Sequence, residues 1–130
     1  MALHTLVVTR YRVSEGTAAS FRDRIRDALE AFAATPGFVD GRVGRSTDEA
    51  GLWVLELTFR DVGSYRRALS SYDVKLRAVP VMYDAVDEPS AYEVLEQAGV
   101  GGRASSDLAA DAGAVNLGEA AAPVVVSDLD

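Results

Sequence analysis

The chain has 130 residues, a formal net charge of -7, 48% hydrophobic residues and no cysteine. That length suits one domain able to bury a core without covalent or metal staples. The missing cysteines exclude disulfides, thiolate zinc, iron–sulfur ligation and cysteine nucleophiles, and the acidic balance argues against nucleic acid or an anionic membrane as partner.

The N-terminal residues Met1-Ala2-Leu3-His4-Thr5 carry no basic segment followed by a long apolar run. Elsewhere, apolar runs reach only a few residues, too few to span a bilayer. The expectation is a soluble cytoplasmic protein.

Leu3 to Val13 reads as a strand, with Thr5, Val7, Thr9, Tyr11 and Val13 on one side and His4, Leu6, Val8, Arg10 and Arg12 on the other. Neither side is purely polar, so both faces are expected to meet protein. Ser14-Glu15-Gly16-Thr17 breaks the strand. A helix follows from Thr17 to Ala34, its apolar stripe set by Ala18, Phe21, Ile25, Ala28, Leu29 and Phe32. Arg22, Asp23, Arg24, Arg26, Asp27 and Glu30 fill the rest of its surface, and Thr35-Pro36-Gly37 ends it.

Phe38 to Ser46 is a second strand whose Gly41 and Gly44 suggest a bulge or a close backbone approach. Across the turn Thr47–Gly51 lies the strongest strand, Leu52 to Arg60. Trp53, Leu55, Leu57 and Phe59 make one wholly apolar side, expected to face helices; Glu56 lies on the other side, with Arg10 or Arg12 across a dimer interface as its expected partner. Asp61 is a plausible N-cap, with Ser64 as the rival, for a helix from Val62 to Leu69. Ser70-Ser71 interrupts it, Tyr72 to Val79 is helical again, and Pro80 stops the helix. Ser90 to Leu95 is the last short strand.

The order β-α-β-β-α-β describes an α+β, ferredoxin-like fold with a four-stranded antiparallel sheet covered by helices on one face. Such a sheet leaves a bare face that two copies can bury, so a homodimer is expected. Residues 1–96 form this domain. Residues 97–130 form a Gly/Ala-rich tail, expected to be flexible. Beyond residue 95, Glu96, Asp107, Asp111, Glu119, Asp128 and Asp130 stand against Arg103 alone, so -5 of the -7 lies there. Val124-Val125-Val126 could dock as an edge strand, but the composition favours disorder.

His4 is the sole histidine, which excludes a multi-histidine metal site, and no metal is expected. The glycines of the second strand lie within a strand and do not form a phosphate loop. The aromatic candidates are Tyr11, Trp53, Tyr65, Tyr72 and Tyr83. A pocket between sheet and helices walled by Trp53, with Tyr11, Tyr65 or Tyr83 turned inward, would suit a flat organic ligand; plain core packing explains the same residues. Tyr72 and Lys75, three apart on a helical turn, could orient a substrate oxygen or stabilise an enolate. Capping by Ser70 or Ser71 with surface ion pairs is the plainer account of that segment.

Val7-Val8-Thr9-Arg10-Tyr11-Arg12-Val13, the helix bearing Phe21, the junction Thr35-Pro36-Gly37-Phe38, and Leu52-Trp53-Val54-Leu55 followed by Val62-Gly63-Ser64-Tyr65 resemble the antibiotic biosynthesis monooxygenase family. The resemblance spans about residues 3–95. It implies a dimeric α+β barrel, in which two sheets close on each other. It also implies an activity found in the family: oxidation of polycyclic anthrones to quinones by molecular oxygen, with no metal, flavin or other cofactor. The substrate activates oxygen after losing a proton, while the protein binds, deprotonates and shields it. Other members degrade haem with an asparagine, a tryptophan and a histidine. Here Trp53 is present, but the only histidine is His4 and the only asparagine, Asn116, lies in the tail, which argues against that branch. The expected function is a cofactor-independent monooxygenase of a small aromatic or quinol-type substrate, with Tyr72 or Lys75 assisting proton removal. The alternatives are a non-catalytic dimer binding a small ligand and an interaction module whose acidic tail recruits a partner.

Overall fold

Side-chain alternation along the strands sets which sheet face is covered. The computed structural model describes residues 4–99 and 104–105. In chain order it forms β1 (Thr5–Arg12), a 3-10 turn at Glu15–Thr17, α1 (Ala18–Ala33), β2 (Phe38–Arg45), β3 (Leu52–Phe59), α2 (Val62–Leu69), α3 (Tyr72–Arg77), α4 (Val79–Met82) and β4 (Ala91–Glu93). A two-residue ladder follows, β5 (Glu96–Gln97) with β6 (Ala104–Ser105). The four-stranded antiparallel sheet has the order β2-β3-β1-β4, so the expected α+β, ferredoxin-like architecture is present. The described residues fall into two units: Thr5–Tyr92, and His4 with the described residues from Glu93 onward. Most of the acidic tail, including Val124-Val125-Val126, lies outside the described residues.

In β1 and β3 every second side chain is buried: Thr5, Val7, Thr9 and Tyr11 on one strand, Trp53, Leu55, Leu57 and Phe59 on the other. The register pairs them directly, from Thr5 opposite Phe59 to Tyr11 opposite Trp53. This face meets the buried stripe of α1, formed by Phe21, Ile25, Ala28, Ala31 and Phe32. Each large side chain so buried contributes about 1.5–3 kcal/mol. The Trp53 side therefore faces the helices, as the alternation predicts.

Both readings of the β2 glycines have a counterpart. The ladder slips between Phe38 and Asp40, so the bulge precedes the glycines. Gly41 provides the close approach: a Cβ there would lie 2.8 Å from Leu29 Cδ1 and 3.0 Å from Leu57 Cδ2. A side chain would push α1 off the sheet.

Asp61 caps α2, its carboxylate accepting from the Ser64 N–H at 2.7 Å. Ser64 itself is fully buried. Ser71 caps α3, accepting from the Val74 N–H at 3.4 Å. Pro80 does not stop the second helical stretch as expected. The stretch already breaks after Arg77, and Pro80 lies in the first turn of α4. A first-turn amide needs no helical partner, so proline is tolerated there.

The opposite sheet face carries Leu6 and Val8 of β1 and Leu52 and Val54 of β3, all half-buried within the single chain. Ion pairs flank them. Arg10 meets Glu88, and Arg12 meets Glu49 at 3.0 Å. Glu56 is held by Arg42 of the neighbouring strand, so its partner belongs to the same chain and is neither Arg10 nor Arg12.

Candidate functional site

The edge strand β2 and helix α1 leave a groove between them. It is lined by Arg22, Ile25, Arg26 and Leu29 from α1, Val43, Gly44 and Arg45 from β2, and Trp53 from β3, and encloses about 360 Å³. Helical periodicity puts its α1 residues on one side, since 22, 25, 26 and 29 fall three and four apart. Strand register supplies the rest: Arg45 lies opposite Trp53 across the β2–β3 ladder, and Val43 opposite Leu55. The Arg45 guanidinium carbon sits 5.5 Å from the centre of the Trp53 ring, within cation–π range.

Trp53 is only 5% exposed. The edge-to-face contact with Phe21, at 5.4 Å between ring centres, fixes its orientation. Phe21 in turn lies 5.2 Å from Tyr11, so the groove wall continues inward as an aromatic row. Tyr11 is buried, and its hydroxyl shares a 2.8 Å hydrogen bond with Thr9 Oγ1. Burial raises the Tyr11 pKa, with the Thr9 hydrogen bond opposing. Tyr65 belongs to a second cluster, 5.5 Å from Phe59 and 6.3 Å from Phe32. Burial likewise raises its pKa, against a hydrogen bond with Ser90. Both phenols are held neutral, which suits packing and hydrogen bonding better than proton abstraction near neutral pH.

Trp53 and Tyr11 are thus brought together through Phe21, and Tyr65 packs apart from them against Phe32 and Phe59. Tyr72 and Tyr83 are 76% and 84% exposed. Lys75 is exposed on α3, and no groove-lining residue comes from α3. The sequence reading assigned Arg22 and Arg26 to the outer surface of the helix and gave Arg45 no role. A signal was available for Arg45: two residues beyond Val43 in a hairpin with β3, it shares the helix-facing side with Trp53.

The groove offers an aromatic wall, an aliphatic floor from Ile25, Leu29 and Val43, and cationic edges. Such a surface can hold a flat organic molecule. No helix among the described residues is long and apolar enough to cross a membrane.

The family model of antibiotic biosynthesis monooxygenases matches residues 5–76. Among solved structures, the chain resembles SnoaB, a cofactor-independent oxygenase from Streptomyces nogalater, at 24% identity and a TM-score of 0.63, over 74% of this chain and 97% of that one. A putative antibiotic biosynthesis monooxygenase from Nitrosomonas europaea aligns at 15% identity and a TM-score of 0.60, over 73% and 93%. Rv0793 from Mycobacterium tuberculosis aligns at 15% identity and a TM-score of 0.60, over 74% and 99%. No curated protein matches the chain. The matched segment contains the groove, the aromatic row and three strands of the sheet, and the chain belongs to the antibiotic biosynthesis monooxygenase family.

Proposed function

We propose that the protein is a cofactor-independent oxygenase that binds a small aromatic, quinol-type substrate against Trp53 and acts as a homodimer. The observation that carries this reading is the groove itself, with Trp53 as its wall and an apolar floor on α1 and β2. Family membership and the resemblance to SnoaB, a cofactor-independent oxygenase, support the reaction class. In that class an activated methylene loses a proton. The resulting carbanion reduces oxygen, a carbon-bound hydroperoxide forms, and loss of water leaves a carbonyl; one O2 is consumed and one oxygen atom enters the product. The protein's share is to bind the substrate, favour its anion and exclude solvent.

Tyr72 or Lys75, on α3 and outside the groove lining, is the residue proposed to assist proton removal, and the groove-lining set contributes no base of its own: its charged members are arginines, which stay protonated. That same observation favours a second reading, a dimer that binds an aromatic ligand without turning it over. Oxygen uptake and quinone absorbance with a simple anthrone, against the uncatalysed rate, separate the two. Turnover that falls at least about tenfold in Tyr72→Phe with Lys75→Ala supports the oxygenase and those roles. Binding without oxygen uptake supports the binder.

A further inference from the structure

The arginines of the described chain divide by partner. Arg10, Arg12, Arg24, Arg26, Arg42, Arg60 and Arg77 each have a carboxylate within salt-bridge distance. Arg22, Arg45, Arg66 and Arg67 have none among the described residues, and of these Arg22 and Arg45 border the Trp53 groove. A third arginine, Arg26, lies one helical turn from Arg22 on the same rim, and no carboxylate lines the groove. Arg26 is paired with Asp23 at 2.7 Å, so in a chain of formal charge -7 the rim keeps two arginines, Arg22 and Arg45, without a carboxylate among the described residues, a local reversal of sign.

Two like charges four residues apart on a helix repel, at a cost of a few tenths of a kcal/mol. Asp23 offsets that repulsion at Arg26, and Arg22 is left to attract an anion from the groove. The apolar floor strengthens that attraction, because low-dielectric walls focus the field into a cleft. A guanidinium also presents a planar fork that matches a carboxylate with two parallel hydrogen bonds, and it stacks on aromatic faces. Arg45, placed over Trp53, is positioned for both.

From this we infer that the groove takes an organic anion: an aromatic body laid against Trp53, with a carboxylate held by Arg22 and Arg45. The inference rests on the proposal that the groove is the binding site and adds the charge of its ligand. Charge recognition here is separable from the apolar contact, since the arginines form the rim and Trp53, Ile25, Leu29 and Val43 form the wall and floor.

Trp53 is the protein's only tryptophan, so its fluorescence reports on this groove alone. The test is fluorescence titration of the full chain with anthraquinone-2-carboxylate and with its neutral isostere, anthraquinone-2-carboxamide, each corrected against a free tryptophan analogue. The expected result is a carboxylate affinity at least about tenfold above that of the amide, as one charge-assisted contact supplies. The preference should collapse in Arg22→Gln with Arg45→Gln, the carboxylate falling to the affinity of the amide; both side chains are exposed, so the variant keeps the fold. Equal affinities for the two probes overturn the anion proposal and leave the groove as a neutral aromatic site. Failure of both probes to perturb Trp53 overturns the groove as a binding site, and the anion proposal with it.

Discussion

Gly37 is packed against Ser64 so closely that a Cβ on Gly37 would lie 2.3 Å from Ser64 Oγ and 2.4 Å from Ser64 Cβ. Its φ of +88° is one that side-chain-bearing residues rarely adopt. The glycine thus joins the exit of α1 to the first turn of α2, and its carbonyl accepts from the Arg60 N–H at 2.7 Å. Gly37→Ala combines a backbone penalty with a clash against a fully buried residue. We expect it to destabilise the protein by about 2–4 kcal/mol in urea unfolding. Ser64→Gly in the same background should recover part of that loss. A cost below about 0.5 kcal/mol for Gly37→Ala would show that the junction yields freely.

Much of this was legible in the sequence. Strict alternation in Leu52–Phe59 identified the covered sheet face, the Phe21–Phe32 stripe identified α1, and Asp61 identified a cap, because each depends on spacing along one element. The Pro36-Gly37 junction was visible as a helix stop and as a family mark. Its contact with Ser64 was not, since the two lie 27 positions apart in sequence and meet only through tertiary packing. The same limit governs the site. Trp53 stood out by residue type, but Arg22 and Arg45 join it from different elements, and helix arginines read alone look like solvated surface. Pro80 was misread because proline stops a helix in its interior yet starts one in its first turn.

The buried hydroxyl pair Thr9–Tyr11 gives a second test. Thr9→Val keeps the shape but leaves the Tyr11 hydroxyl without this partner at a position 1% exposed. The expected loss is about 1–3 kcal/mol. Adding Tyr11→Phe removes the orphaned group, so the double variant should be more stable than Thr9→Val alone. Additive losses in the cycle would mean that the hydroxyls are not coupled.

Acid sensitivity follows from two carboxylates. The Asp27 pKa is lowered by hydrogen bonds from Arg77, at 2.6 and 2.9 Å, which tie α3 to α1. The Asp61 pKa is lowered chiefly by the Ser64 N–H at its capping position. For a carboxyl with a depressed folded pKa, the stabilisation is present above the unfolded value of about 3.9 and is lost as pH falls through the folded value. Melting temperature should therefore drop as pH falls through and below that range. Asp27→Asn and Asp61→Asn should each flatten the drop while lowering stability at pH 7. An unchanged slope in both variants would remove these two groups as its source.

The sheet face that no described helix covers supplies the last prediction. Leu6, Val8, Leu52 and Val54 form an apolar strip on the side away from the helices, bordered by the Arg10–Glu88 and Arg42–Glu56 pairs. Apolar side chains half-exposed in one chain gain by burial against a second copy, at about 25 cal/mol for each Å² removed from water. The strip is central, and the flanking charges are already satisfied within the chain, so a second sheet can approach without stranding an ion. The full chain should sediment as a dimer. Val54→Asp puts a carboxylate in the middle of the strip and should yield a folded monomer, with far-UV circular dichroism unchanged, because Val54 points away from the α1-packed core. A monomeric wild type at tens of micromolar would rule out this face as a stable interface. A Val54→Asp variant that remains dimeric would move the interface elsewhere on the molecule.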